Sequence, residues 1–499
     1  MKSLLVKPFA HFIKGRVKAS RKLAVQHQDR IRRRLISIAK NTSFGRDHHF
    51  DKIKTYEDFT EHIPIRDYEG HREYFDRIKN GESNVMWPGK PRYLAKTSGT
   101  TSGIKYIPVS DNSISNHIHS ARNALLNFTS KMNDTSIFDG KLIFLSGSPT
   151  LSIQGGIKTG RLSGIVNHEI PSWIKGNQLP SYPTNCINDW EDKLDQIIKE
   201  TYNQDLRVIS GIPPWVQMYF EKLLEFTGKS SIKEIFPNFN LFVYGGVNYA
   251  PYRSTIENLI GESIHSLETY PASEGFIAFQ NNITNDGLLL NTHSGIFFEF
   301  VPAETIFDQS PERISLADVE LDKDYAIIIN NNAGLWGYNI GDTIRFVQKD
   351  PYKIIVSGRI KHFISAFGEH VIAKEVEEAI TNVNKKHHFN VNEFTVAPMV
   401  NPTDGSTPFH EWLIEFDVVP VDLNRVAIAL DKEMVRQNIY YKDLIAGQIM
   451  RPLQITALPK GSFQKYMRSQ GKLGGQNKVP RLSNDRRIAD KLVELNFEC

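Results

Sequence analysis

Residues 94–109 read Leu94-Ala95-Lys96-Thr97-Ser98-Gly99-Thr100-Thr101-Ser102-Gly103-Ile104-Lys105-Tyr106-Ile107-Pro108-Val109. An apolar approach and an apolar exit flank an unbroken run of small hydroxyl and glycine residues from Thr97 to Gly103. That pattern predicts a strand, a tight loop and a second strand. Glycine lets backbone N–H groups come close to an anion, and hydroxyls add donors without bulk. Such a loop can hold a polyphosphate; an ordinary Ser/Thr/Gly turn is the competing reading. It is not a Walker A loop, because the spacing differs and no Ser or Thr follows Lys105.

Working outward, strand signals at 141–146, 206–210, 241–244 and 263–270 alternate with helix signals at 189–202, 215–226 and 253–260. This alternation predicts βαβ units around a largely parallel sheet. From 287 to 347 strands dominate, which predicts an antiparallel sheet or a small β-barrel-like part. Beyond 358 the order is a helix (373–383), two strands (393–400 and 411–418), a helix (423–437) and a strand (453–458). The expected fold class is therefore α/β. A large N-terminal domain (1–357) precedes a small α+β C-terminal domain (358–499), joined near 357–361.

At 499 residues the chain is too long for one ordinary core, which agrees with that division. Two cysteines, Cys186 and Cys499, offer no disulfide framework and fit a reducing compartment. No apolar run approaches the roughly 20 residues of a membrane helix, and 3–6 is too short a centre for a secretory signal. A cytoplasmic protein is expected. The net charge of +4 conceals an asymmetry: residues 1–40 hold twelve Lys and Arg against one acid, Asp29, while the remainder is slightly acidic. The bland reading is a helix over 22–40 packed through Leu23, Ile31, Leu35 and Ile38; the alternative is an arm that touches nucleic acid or an anionic membrane surface. The histidines (His117, His119 and the pairs at 48–49 and 387–388) lack Cys or carboxylate partners at ligand spacing, so core or surface roles are expected.

Four further clusters bear on the loop. Tyr244-Gly245-Gly246-Val247 ends a predicted strand in glycines, where a flat base can lie against backbone at the carboxyl edge of a parallel sheet. A plain glycine turn has the same sequence. Glu268-Thr269-Tyr270-Pro271-Ala272-Ser273-Glu274-Gly275 puts an aromatic ring, hydroxyls and a carboxylate into a turn. Tyr270 can stack on adenine and Glu274 can hold magnesium, although a solvated glutamate reads the same way. In Trp336-Gly337-Tyr338-Asn339-Ile340-Gly341-Asp342-Thr343, Asp342 can accept both ribose hydroxyls or merely belong to a hairpin turn. Ser357-Gly358-Arg359-Ile360-Lys361 sits at the junction, where arginine can pair with phosphate or ribose and a charged residue can serve a hinge.

In this order the clusters resemble the adenylate-forming superfamily of acyl-CoA synthetases and luciferases. More closely, the chain is similar to the plant-type auxin-responsive acyl-acid amido synthetase family and its bacterial relatives. Asn41-Thr42-Ser43-Phe44-Gly45, Tyr56-Glu57-Asp58-Phe59 and the tail Gln476-Asn477-Lys478-Val479-Pro480-Arg481 carry the likeness over most of the chain. The resemblance implies ATP and Mg²⁺ as cofactors and catalytic roles for Lys478, Glu274 and Thr101. Ser98, Gly99, Thr100 and Thr101 would wrap the ATP phosphates, with Lys105 a lesser candidate. Gly246, Val247 and Tyr270 would line the adenine slot, beside Ser273, which stands where threonine often precedes the glutamate. Thr100 or Thr101 with Glu274 would contact the metal, Asp342 the ribose, and Arg359 with Lys361 would mark the hinge. Lys478 would bridge the substrate carboxylate and the α-phosphate; Lys460, in Leu458-Pro459-Lys460-Gly461, is its rival.

The implied activity is adenylation of a carboxylic acid followed by transfer to an amine, such as an amino acid. The extra residue Ser102 favours this amido branch. The alternatives are an acyl-CoA ligase with CoA as acceptor, or a nucleotide-binding regulatory protein. The expected partners are a small carboxylic acid and an amine, with no nucleic acid and no membrane span. The acyl pocket is expected among 152–164 and 212–219.

Overall fold

The computed structural model describes residues 2–98, 104–187, 189–246, 249–360, 363–364, 366–367, 371–400, 402–404, 406–446, 450–472, 478–483 and 485–497. They fall into two compact units: Met1–Val247 with Thr255–Val356, and Asn248–Ser254 with Ser357–Cys499. The second unit thus takes in a short segment from the middle of the chain as well as the C-terminal part.

The strand and helix alternation builds one half of a large sheet. Gln178–Leu179, Lys141–Phe144, Leu206–Ser210, Leu241–Gly245 and His265–Ala272 lie side by side and parallel. The helices Trp190–Thr201, Pro213–Thr227 and Arg253–Ile260 lie in the connections between successive strands. The sheet then continues through Gly275–Gln280, Leu288–Leu290, Tyr352–Arg359, Tyr338–Lys349, Asp324–Asn331 and Ile296–Pro302, eleven strands among the described residues. The expected β-barrel-like part is therefore the antiparallel half of this same sheet. Its strands Ile296–Pro302 and Asp324–Asn331 are buried almost throughout, so both of their faces are covered by other elements.

A four-stranded sheet carries the opening motif. Its order is Ile104–Val109, Tyr93–Ser98, Ile157–Arg161, Ser152–Gln154. Tyr93, Leu94, Ala95, Ile107 and Val109 share one core with Phe44, Phe59, Phe75, Leu335, Trp336 and Tyr338. The strand that enters the loop and the segment that precedes Asp342 are thus packed into the same interior.

The helix over the basic stretch spans Ala24–Ala39, but its packing face differs from the expected one. Gln28, Arg32, Leu35, Ile36 and Ala39 are buried, whereas Leu23 and Ile38 are exposed. Hydrogen bonds explain the shift. The Gln28 amide donates to the carbonyls of Thr292 and Ile296, each at 2.9 Å, and accepts from the Phe298 N–H at 2.7 Å. It thereby covers backbone groups at the outer edge of the large sheet, which would otherwise be open to pairing. The sequence pattern also leaves unmarked the 22-residue helix Asp111–Met132. Its buried face includes His117, Ser120, Asn127, Thr129 and Ser130, which dilute the apolar stripe that betrays a helix.

In the second unit, Asn390–Met399 pairs antiparallel with Phe409–Val418, which pairs parallel with Gln454–Leu458. Trp412, Ile414 and Phe416 alternate with Leu413 along the central strand. The first three join a core with Val376, Ile380, Leu430 and Met434 of the helices Ala373–His387 and Leu423–Gln437. Leu413 joins a separate cluster with Phe463, Val479, Ala489 and Leu492. The small sheet therefore has an apolar layer on each face.

Candidate active site

The loop is anchored as a hairpin. Thr97 pairs with Lys105 and Ser98 with Ile104 at the mouth, which leaves Gly99, Thr100, Thr101, Ser102 and Gly103 as the intervening loop. Those five lie outside the described residues. Lys105 stands behind the mouth, its ammonium 5.7 Å from the centre of the Tyr68 ring. The Tyr68 hydroxyl in turn accepts the Tyr106 N–H at 3.1 Å, which fixes ring and strand together.

The carboxyl edge of the parallel half holds the second group. Gly245 ends its strand where a Cβ would meet the Thr269 carbonyl oxygen at 2.3 Å, and Gly246 follows with φ +74°. Neither position accepts a larger residue without strain. The Thr269 hydroxyl donates to the Tyr244 carbonyl at 3.0 Å, locking the glycine turn to the next strand. Val247 lies outside the described residues. One residue beyond Thr269 is Tyr270, and the strand then turns back on itself. Ala272 pairs with Gly275, so Ser273 and Glu274 are the two residues of the hairpin tip. The Asn331 side chain donates to the Glu274 carbonyl at 2.7 Å. The Asn331 side-chain oxygen accepts the N–H groups of Ala333 and Leu335. This asparagine, 1% exposed, holds the tip that carries the acid.

Asp342 comes from the antiparallel half. Ala326 pairs with Thr343 but Ile328 pairs with Asn339, so Ile340, Gly341 and Asp342 bulge against a single partner residue. Gly341 takes φ +87° at that bulge, a device that re-aims side chains near sites. The result is a direct bond between two of the sequence-derived candidates. The Tyr270 hydroxyl donates to Asp342 Oδ2 at 2.5 Å, and both residues are buried. A buried carboxylate needs donors, and a charge-assisted bond of this kind is worth roughly 1.5–3 kcal/mol. Ahead of Asp342, Trp336 is fully buried, donating to the Met86 carbonyl at 3.0 Å. The neighbouring Tyr338 phenol is held protonated by burial and, secondarily, by the Glu274 carboxylate.

Arg359 is the last residue of the strand Tyr352–Arg359; Lys361 lies outside the described residues. Lys478 is exposed and belongs to the second unit. The chain immediately after it is tightly held. Val479 enters an apolar cluster, Thr395 donates to the Pro480 carbonyl at 2.8 Å, and Val396 donates to the Arg481 carbonyl at 2.9 Å. Arg481 pairs with Glu393, lies 4.4 Å over the Phe394 ring, and donates to the Tyr252 hydroxyl at 2.8 Å. The rival Lys460 is two-thirds exposed and faces Asp417 at 3.3 Å.

Other motifs prove structural. The Thr42 hydroxyl accepts the Gly45 N–H at 3.0 Å, and the Phe44 ring stacks 6.2 Å from Trp336. Thr55 and Asp58 form a capping box for Tyr56–His62. In the region expected to shape an acyl slot, Tyr219 is buried and its hydroxyl bonds Thr201 at 2.7 Å. Asn330 and Asn331 were missed by pattern, because a run of asparagines reads as a turn. Their burial at a strand end is what couples Gly337 and Glu274 to the sheet, since Asn330 accepts the Gly337 N–H at 2.6 Å.

Comparison with solved structures bears on the fold. The fold matches GH3.15 acyl acid amido synthetase with a TM-score of 0.81 and 16% identity, covering 97% of this chain and 96% of that one. It also matches 2-hydroxyisobutyryl-CoA ligase in complex with 2-HIB-AMP, at TM-score 0.60 and 12% identity, over 95% and 91%. The fold is thus shared with both of these proteins. Three sequence profiles narrow this further: GH3 family N-terminal domain over 13–189, central domain over 289–359 and C-terminal domain over 374–487. The chain belongs to the GH3 family. Among characterised relatives it is 23% identical to jasmonoyl–L-amino acid synthetase JAR4 of Nicotiana attenuata, over 57% of this chain and 60% of that protein. It is 26% identical to indole-3-acetic acid-amido synthetase GH3.3 of Arabidopsis thaliana, over 37% and 33%. The matched stretches thus span three-fifths or less of these two relatives.

Proposed function

We propose that the protein activates a carboxylic acid with ATP, forming an acyl-adenylate and pyrophosphate, and then transfers the acyl group to an amino acid, releasing AMP. The observation that carries this reading is the match to three GH3 profiles in chain order, together with relatives named as a jasmonoyl–L-amino acid synthetase and an indole-3-acetic acid-amido synthetase. Oxide is a poor leaving group from a carboxylate, so one carboxylate oxygen attacks the α-phosphorus and pyrophosphate departs. Both reactants are anions, and their approach needs fixed donors and cations.

In this reading Asp342, held by Tyr270, accepts the ribose hydroxyls, and Tyr270 with Gly246 and Val247 borders the adenine. Ser98, Gly99, Thr100 and Thr101 donate to the phosphates, with Ser273 alongside Glu274. The Glu274 carboxylate, a hard oxygen donor on a pinned hairpin tip, fits Mg²⁺. An ion there would be held by one protein carboxylate plus Thr100 and substrate oxygens. When bound, the ion would supply charge neutralisation at the phosphates. Lys478 neutralises the incoming carboxylate, and residues 358–499 act as a mobile domain that excludes water after adenylation.

Exchange of labelled pyrophosphate into ATP, across a panel of carboxylic acids, tests the first half. No exchange by folded protein across a broad panel overturns it. Product mass after addition of amino acids or of CoA tests the second half: an amide is expected, and a thioester would identify an acyl-CoA ligase.

A further inference from the structure

The N-terminal helix Lys2–Ser20 is apolar on two faces, and the fold uses only one. Val6, Ala10, Ile13 and Val17 fall on one stripe and pack into a core with Ala124, Leu126 and Phe128. The first turn is fastened as well, since the Ser3 N–H and hydroxyl both bind the Asp139 carboxylate, at 3.0 and 2.6 Å. On the neighbouring stripe Leu5, Phe9 and Phe12 are 81%, 39% and 57% exposed, and Leu4 is 74% exposed. The two phenylalanine rings stack at 6.5 Å, with the Arg122 guanidinium over Phe9 and that of Arg16 over Phe12. Lys7, Lys14 and Lys18 border the exposed face on its other side, and the helix contains no acidic residue.

We propose that this face is a docking surface for an anionic phospholipid bilayer, with the helix lying in the plane of the interface. Leucine and phenylalanine would enter the boundary of the acyl chains while the arginines and lysines meet lipid phosphates. The charge pattern singles out this occupant: the cations are concentrated in the first 40 residues of a chain whose remainder is slightly acidic. Nucleic acid would use the cations but not Leu4 and Leu5. A second copy, packed face to face, would bring Arg16 and the lysines of both copies together, which repels. Among the described residues no helix is long and apolar enough to cross a membrane, so the contact is with the surface.

Co-sedimentation of the full chain with vesicles tests this independently of catalysis. Binding is expected to an equal mixture of phosphatidylcholine and phosphatidylglycerol, not to phosphatidylcholine alone, and it should weaken in high salt. Leu5→Ser with Phe12→Ser, at exposed positions, should lower binding on the order of tenfold or more at an unchanged melting temperature. Failure to bind the mixed vesicles overturns the proposal, as does full binding by that double variant. Two further results also overturn it. One is duplex DNA bound in preference to vesicles and indifferent to the substitutions; the other is a dimer in solution that the substitutions dissolve.

Discussion

Tyr270 does two jobs at once, because the ring borders the proposed adenine slot and the hydroxyl holds Asp342. Tyr270→Phe keeps the ring and removes only the bond to the carboxylate. At roughly 1.5–3 kcal/mol for such a bond, the KM for ATP should rise about ten- to a hundredfold, with kcat changed less. An unaltered KM would mean that Asp342 does not depend on Tyr270. Lys478→Ala should abolish most pyrophosphate exchange while ATP binding persists; if Lys460→Ala does so instead, the lysine assignment is reversed. Individual acids, aromatics and glycines were legible in the sequence as members of spaced clusters. Their coupling was not. Nothing in the distance from residue 270 to residue 342 announces a hydrogen bond between two strands that other strands separate in the sheet.

Among elements, the hairpin that carries Ser273 and Glu274 depends on a single buried asparagine. Asn331→Ala removes one donor to the Glu274 carbonyl and leaves two N–H groups without their acceptor. A loss of about 3 kcal/mol in denaturant unfolding is expected. Adenylation should fall further than stability alone explains, measured at temperatures where the variant stays folded. Wild-type activity at full stability would remove Asn331 from this role. Elements with a clean period were readable: the strands near 206 and 241, and the helix Leu423–Gln437, fall at the residues expected. The helix Asp111–Met132 and the packing face of Ala24–Ala39 were not, since both bury polar side chains whose partners lie far along the chain.

Over the whole molecule, stability should depend on pH through two interior histidines. Burial pushes His71 and His117 each down to about 4, from an ordinary value of 6.5. The unfolded chain therefore takes up protons first as pH falls. The contribution is complete above about pH 6.5 and is lost between there and about pH 4, roughly 3 kcal/mol for each histidine. Melting temperature should drop through this window, and His117→Leu should reduce the slope without abolishing it, since His71 and other histidines lowered by burial, His48 and His293 among them, still titrate. An unchanged slope in that variant would exclude His117 as a source. The inclusion of 248–254 in the second unit had no signal in the sequence pattern, which changes only near 357. The union of both sheet halves into one was hidden, because apolar strands covered on both faces give no alternation to show which face meets which partner.

The short segment 248–254 has a consequence for anyone who would exchange modules between relatives. The chain passes from the first unit to the second and back before entering the second for good near residue 357. A graft that begins there transplants Arg481 and Glu393 without Tyr252, the third member of their cluster. A chimaera cut at the obvious border would inherit a mismatched hydroxyl beside the arginine that fixes the strap after Lys478. Successful shuffling in this architecture requires two segments to be exchanged together, one of them only seven residues long.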